Sequence, residues 1–251
     1  TVEMSIYPLV YASGKIPEFA VTQMPAAVQG MEHAEALKGS RFHEILQEVA
    51  HDNGIHIVTW WWTPGAWASA AGPIAGPDSV DGLKMRGAGP YFETMLQAAG
   101  ASVLSMPSSE TYSAMQTGVL DAMLTSCESF QSYRIYEQSE HATVGGDRNL
   151  FVLIQPLVMA KSAWDQLTPE QKEIFERAAA KSDAFFNEQQ RAACRNMEES
   201  FRENGNEVRV MTPEEFDDWA ALARETAWPQ FRENAERGAE ILDAVTEVPT
   251  N

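Results

Sequence analysis

The sequence predicts an α/β fold on three observations. Strand-like and helix-like segments alternate regularly between residues 83 and 138, the signature of βαβ units and a largely parallel sheet. An uninterrupted helical pattern then runs from 169 to 204. Glycine and proline crowd residues 64–82, which reads as loop, hinge or domain crossing.

Taken in order, residues 2–7 alternate weakly and predict a strand, and Pro8, Gly14 and Pro17 mark loop. Residues 32–38 and 41–51 carry apolar side chains at helical spacing, with Phe42, Ile45, Leu46 and Val49 in one stripe, and Asn53-Gly54 ends the second helix. Residues 55–62, rich in β-branched and aromatic side chains, predict a strand, and 67–71 a short extended piece. Strands then follow at 83–86, 102–106 and 119–124, alternating with helices at 91–99, 109–117 (capped by Ser109) and 128–138. Residues 151–160 form an apolar, strand-like run. Thr168 and Pro169, followed by Glu170 and Glu173, give the long helix a strong start. At ~1.5 Å per residue that helix reaches roughly 54 Å, enough to cross between domains. A strand is predicted at 207–211. Thr212-Pro213-Glu214-Glu215 starts a further helix through Ala227, where Pro229 breaks or kinks it.

The chain has 251 residues, 44% hydrophobic, and a net charge of −18. Such a surface repels phosphate backbones and anionic bilayers, so neither nucleic acid nor direct membrane insertion is expected. The most apolar run, residues 150–160, is too short to span a bilayer. Thr1 is not followed by a basic-plus-apolar leader, so any signal peptide is expected to be already removed or absent. Cys127 and Cys194 form no CxxC pair and have no nearby histidine at metal-ligand spacing, and read as two unrelated cysteines.

Six short blocks, in order, carry a family resemblance. Asp81-Gly82-Leu83-Lys84-Met85-Arg86 resembles the L-K-G-L-K-[IL]-R segment of the extracytoplasmic solute receptors of TRAP transporters, the DctP-like family. Leu96-Gln97-Ala98-Ala99-Gly100-Ala101 resembles their L-G-A turn, and Met106-Pro107-Ser108-Ser109-Glu110-Thr111-Tyr112 their M-P-x-S-E-x-Y. The stretch 114–121 resembles A-L-Q-T-G-V-V-D, and 133–137 the K-F-Y-E that follows. Leu167-Thr168-Pro169-Glu170-Gln171 matches the L-[ST]-P-E-x-Q opening of the family's long helix. The match covers about residues 18–211. Members usually carry a strand-helix portion before the segment resembling 2–25, so either a longer chain or an unusual member is expected, with part of the first lobe's cleft wall outside these residues.

The resemblance implies a two-lobed periplasmic-binding-protein-like fold with crossing strands and a domain-spanning helix. It implies lobe I from 1–63 plus 151–190, incomplete at its N-terminus, and lobe II from 64–150 plus 191–251. The implied function is a periplasmic receptor, not an enzyme, that captures a small organic acid for the membrane components of a TRAP transporter. No cofactor or metal is expected.

Arg86 is the leading site residue. In the family the arginine at this strand end grips the ligand's carboxylate, and a guanidinium's planar fork matches two carboxylate oxygens. The competing reading is a surface arginine paired with Asp81 or Glu110. Thr125 and Ser126 fall where many relatives carry E-N-P, so a hydroxyl replaces a ligand-binding amide. Cys127 and Glu128 follow directly and flank the expected pocket. Trp60 and Trp62 share one strand face and Trp61 takes the other. Trp62 and Trp67 are candidates for a flat cleft wall, with core packing as the even alternative. Tyr11, together with Tyr7, lies on the segment resembling the first-domain wall. Ser108 replaces an aromatic common in relatives, and Phe151 and Gln155 lie near the second crossing. Relatives specific for sialic acid place a second arginine near Ala66-Trp67. Its absence here implies a ligand with one carboxylate and a less polar body.

Three other functions compete: an oxidoreductase, a hydrolase, and a purely structural or partner-binding module, which would not need a buried arginine beside several tryptophans. Gly87-Ala88-Gly89 sits between a strand and a helix, as in a NAD-dependent oxidoreductase of Rossmann type, but Phe92 holds the third glycine's position. A hydrolase lacks support, because neither GxSxG nor HExxH occurs.

Overall fold

The computed structural model describes residues 2–250. A three-stranded antiparallel sheet has the order β1 (Met4–Ile6), β9 (Leu157–Ala160), β2 (Ile55–Ile57). A seven-stranded sheet has the order β10 (Glu207–Val210), β7 (His141–Val144), β3 (Trp62–Ser69), β6 (Ala122–Ser126), β4 (Lys84–Arg86), β5 (Ser102–Leu104), with β8 (Val152–Ile154) paired to β3. The expected βαβ units are present. β4 is followed by α3 (Pro90–Ala98) and lies parallel to β5, and α4 (Thr111–Gln116) leads back to β6, also parallel to β4. The sheet as a whole is mixed, against the largely parallel expectation, because β3 runs antiparallel to β6, β7 and β8.

β3 corrects the first part of the reading of 64–82 as loop, while residues 70–82 are loop with one short 3-10 turn, as expected. Pro64 and Gly65 lie inside a continuous strand of eight buried residues. Pro64 stands opposite Val152, and Gly65 opposite Ser126, so one strand changes partner from β8 to β6 and β7 along its length. Proline's lost donor is tolerable where a strand trades partners. The predicted strand 55–62 divides into β2 and the start of β3, and 151–160 divides at Gln155-Pro156 into β8 and β9.

The helix α1 (Met31–Ala36) packs beside β3, and α2 (Arg41–Asp52) beside β2 of the smaller sheet, with Phe42, Ile45 and Leu46 fully buried. The segment expected as a helix over 109–117 begins as a tight 3-10 turn, Ser108–Glu110, and Ser109 does not cap it. Residues 127–138 form α5 (Cys127–Ser132) and a further 3-10 turn rather than one helix. After the short α6 (Lys161–Asp165), α7 spans Pro169–Glu203 as predicted, opened by a capping box in which Thr168 and Gln171 exchange hydrogen bonds. Pro229 does not end the next helix: α8 runs Pro213–Asn234. Trp228 donates its indole N–H to the Pro25 carbonyl at 3.0 Å and Phe231 is fully buried, so tertiary anchoring outweighs the lost helix bond. α9 (Gly238–Thr246) follows.

Cys127 and Cys194 are not unrelated: they form a disulfide that ties the first residue of α5 to α7, Cα to Cα at 4.9 Å. Phe130, Met197 and Phe201 pack around it in a core distinct from the larger one that joins α2, α3 and α8.

Candidate functional site

Arg86 ends β4, between β5 and β6, at the carboxyl edge where parallel strands open on a crevice. Its side chain is only 3% exposed. Nε donates to the Met106 carbonyl at 3.2 Å and Nη1 to the Leu124 carbonyl at 2.9 Å. Among the described residues no carboxylate pairs with it, so neither Asp81 nor Glu110 fills that role. Burial pushes the guanidinium below its ordinary value, opposed by the neighbouring Tyr11, Glu93 and Tyr133. An arginine stays protonated regardless, so the site holds a buried and unneutralised cation.

A cavity of about 330 Å³ opens beside it. Of the residues singled out in the sequence, Arg86, Tyr11, Ser108, Thr125, Ser126 and Phe151 line it together, with Gln155 and Glu128. Thr125 and Ser126 reach it because β6 pairs with both β3 and β4 and ends there. Ser126 also caps α5, accepting from the Ser129 amide at 3.3 Å. Tyr11, over half exposed, stands at the mouth, and Phe151 enters from the chain just before β8.

Three candidates lie elsewhere. Cys127 is fully buried in the disulfide and does not line the cavity. Trp62 is fully buried and packs against Trp60, and Trp67 stacks on Trp219 at 5.4 Å. The tryptophans hold the crossing chain onto α2, α7 and α8 instead of lining the cavity. Trp61 stacks on Phe186 at 4.9 Å, while Asp183 and Asn187 of α7 accept from the amides of Trp60 and Trp62 at 2.8 and 3.1 Å. Alternation along a strand shows which tryptophans share a face, but not which face meets a helix.

Gln23, Thr63 and Tyr133 are lining residues that the sequence reading did not select for the site. Gln23 comes from a 3-10 turn (Pro17–Gln23) and Thr63 from β3, and neither position carries a local signal. The Gln23 Oε1 and the Thr63 hydroxyl are buried without a hydrogen-bond partner. Buried polar atoms are nearly always satisfied, so two orphans beside an unneutralised arginine describe a cavity shaped for a polar, anionic guest.

A larger groove of about 830 Å³ carries Arg148, Arg191 and Arg195 beside Glu32, Asp147 and Glu198. Its cations are already answered or solvated: Arg148 pairs with Asp217 and Arg191 with Glu35, both at 2.8 Å, and Arg195 is exposed. The smaller cavity is therefore the stronger anion site. The dinucleotide reading fails on geometry. A Cβ at Gly87 would stand 2.3 Å from Glu93 Cγ, so an acidic side chain covers the loop that would cradle a pyrophosphate.

Comparison with known proteins agrees with this geometry. The model of the family described as "Bacterial extracellular solute-binding protein, family 7" (DctP) matches residues 1–234. A solute-binding protein of Albidiferax ferrireducens is 32% identical over 240 residues, covering 96% of this chain and 71% of that protein. The C4-dicarboxylate-binding periplasmic protein DctP of Rhodobacter capsulatus is 28% identical over 236 residues, covering 92% of this chain and 68% of that one. The crystal structure of a TRAP periplasmic solute binding protein from Rhodoferax ferrireducens, with bound malonate, superposes with a TM-score of 0.94 at 31% identity, over 98% of this chain and 78% of that one. This chain belongs to family 7 of the bacterial extracellular solute-binding proteins, the DctP family.

Proposed function

We propose that this chain captures a small organic acid in the periplasm and presents it to the membrane components of a TRAP-type transporter, without transforming it chemically. The observation that carries the reading is Arg86, a buried cation with no carboxylate partner and with donor capacity left on Nη2. Anion capture supplies the missing charge. The cavity of about 330 Å³ is at the small end of ligand sites, which suits a compact acid. Arg86 is the only cationic side chain among its lining residues and Glu128 stands among them, so the preferred ligand carries one carboxylate and, against the less polar body expected from the sequence, a hydroxylated or otherwise hydrogen-bonding one that Gln23 and Thr63 can meet.

Malonate in the Rhodoferax protein supports the class of ligand, not its identity. Among the described residues no helix is long and apolar enough to cross a membrane, which suits a receptor acting beside one. The two-lobe division at 63/64, 150/151 and 190/191 is part of this proposal. Two separate sheets, with α7 braced against the chain that links them, support it. Lobe closure would bury the ligand and alter the surface offered to the transporter.

The test is a thermal-shift screen of small carboxylic acids, followed by calorimetry on wild type and Arg86→Met with the best of them. Loss of a buried charge pair predicts about 30-fold or more weaker binding, equivalent to ~2–5 kcal/mol. Equal affinity in the variant, or no stabilisation by any acid, refutes the reading.

A further inference from the structure

The cavity beside Arg86 carries two opposite charges that form no ion pair. Arg86 brings a buried cation from the end of β4, and Glu128 brings an exposed carboxylate from the first turn of α5. They are the only charged side chains among its lining residues. Arg86 donates to backbone carbonyls, and Glu128 pairs with no cation among the described residues. Glu93, the carboxylate that bears on Arg86, lines the adjoining groove and not this cavity.

Glu128 is held in place from behind. Gln190 of α7, only 4% exposed, donates Nε2 to Glu128 Oε2 at 3.1 Å. The donor is neutral, so the carboxylate keeps its charge and its other oxygen accepts from no described residue. The Gln190 Oε1 is meanwhile buried without a partner. A solvated surface glutamate needs no brace, and a buried amide left half satisfied costs stability. The brace fixes where the second charge of the cavity stands. Among the other lining residues, Gln23 Oε1 is a buried acceptor without a donor, and the Thr63 hydroxyl has no partner either.

Lobe closure, as proposed above, strips water from both charges, and a lone charge in a dry site is costly. A plain monocarboxylate answers Arg86 and leaves Glu128 unpaired. A dicarboxylate sets a like charge against Glu128. An acid that also carries an ammonium group answers both, because ammonium brings three donors and no acceptor. We propose that the ligand is an amino acid in the broad sense, its carboxylate on Arg86 and its ammonium group on Glu128. The inference rests on the receptor reading above and narrows its ligand class. At ~30 Å³ for each water-sized group, a cavity of about 330 Å³ holds roughly ten of them, so the guest is small. Its carboxylate end is set by β4 and β6, and its ammonium end by α5 and α7.

The experiment is calorimetry with matched pairs of acids that differ only in the nitrogen: alanine and β-alanine against propionate, and γ-aminobutyrate against butyrate. The best amino acid should bind wild type at least about tenfold more tightly than its nitrogen-free partner, the size of a hydrogen bond between charged groups. In Glu128→Gln, which keeps the shape and the exposed position, that preference should fall below about threefold, and the plain acids should bind somewhat more tightly than to wild type. Gln190→Leu, which removes the brace and keeps the charge, should give an intermediate preference. Circular dichroism of each variant separates lost contacts from misfolding. No preference for the amino acid in wild type, or a full preference that survives in folded Glu128→Gln, overturns the inference. If the plain acids bind and depend on Arg86 while the amino acids gain nothing, the receptor reading stands and only this narrowing of it falls. If no acid of either kind binds, the receptor reading falls and takes this inference with it.

Discussion

Replacing both cysteines, Cys127→Ala with Cys194→Ala, tests how the second core is held together. The bond closes a loop with a sequence separation of 67 residues. The chain-entropy relation gives a denatured-state restriction of about 4 kcal/mol for a loop of that size. Little native strain offsets it, since α5 and α7 already meet through Phe130 and Phe201, whose rings contact edge to face at 5.8 Å. Urea unfolding of the oxidised and double-variant proteins should therefore differ by about 3–4 kcal/mol, with a larger m-value for the variant because its unfolded chain is more expanded. Organic-acid affinity should change far less, because Thr125 and Ser126 are held by the β6 ladder and not by the sulfur bridge. A stability difference under about 1 kcal/mol, with the bond shown to be formed in wild type, would refute the entropic account. A large loss of affinity at unchanged stability would refute the claim that the ladder, and not α5, positions the site.

Three further outcomes follow from single contacts. Gly65→Ala would set a Cβ 2.4 Å from the Thr125 carbonyl oxygen and 2.5 Å from Phe151 Cδ1, so it should cost about 1–3 kcal/mol in unfolding experiments and weaken acid binding as well. Asn187→Ala strips the buried Trp62 amide of its acceptor and should cost about 1–3 kcal/mol in the same assay, whereas Asn187→Asp, which keeps an oxygen there, should cost less. His33 is held below the ordinary histidine value of 6.5, first by burial and against a hydrogen bond to the Val245 carbonyl, and its Nδ1 accepts from the Gln29 amide. Its folded value lies below its unfolded one. The contribution is therefore complete above about pH 6.5 and fades as pH falls through the folded value. His33→Gln should flatten part of the acid loss of stability in urea titrations, and His43, His51 and His56, also held below the ordinary histidine value chiefly by burial, contribute in the same direction.

What the sequence made legible was what short-range physics determines. The Thr168 capping box, the βαβ rhythm through 83–126, and the place of Arg86 at the end of β4 all rest on neighbours within a few residues. The errors share one cause. Pro64 and Gly65 read as a break, yet β8 on one side and β6 on the other keep the chain extended through them. Pro229 sits within a helix because Trp228 and Phe231 are anchored from outside it. Cys127 and Cys194 carry no local sign of pairing, because only the docking of α5 on α7 brings them together. By residue type Trp62 and Trp67 suit a cleft wall and a core equally, whereas the faces that bury them are set by α7 and α8. Gln23 and Thr63 reach the cavity from segments far apart in sequence and bear no residue-type signal.

An anion site in a chain of net charge −18 is consistent once distance is considered. Surface carboxylates act through water and salt, and at physiological ionic strength their field decays over about 8 Å. Most cations they might neutralise are already taken, as Arg41 is by Glu44, Glu48 and Glu240. Arg86 is different because it is buried, donates to the Met106 and Leu124 carbonyls and forms no ion pair with any carboxylate among the described residues. At 4 Å and an effective dielectric near 20, a unit anion gains about 4 kcal/mol from it, against about 1 kcal/mol for the same pair in bulk water. On the proposed reading, the sign of the ligand is decided by a single buried guanidinium and not by the sum of the surface. The acidic exterior can vary widely without altering what the cavity selects, whereas one carboxylate placed beside Arg86 would fill the site from within.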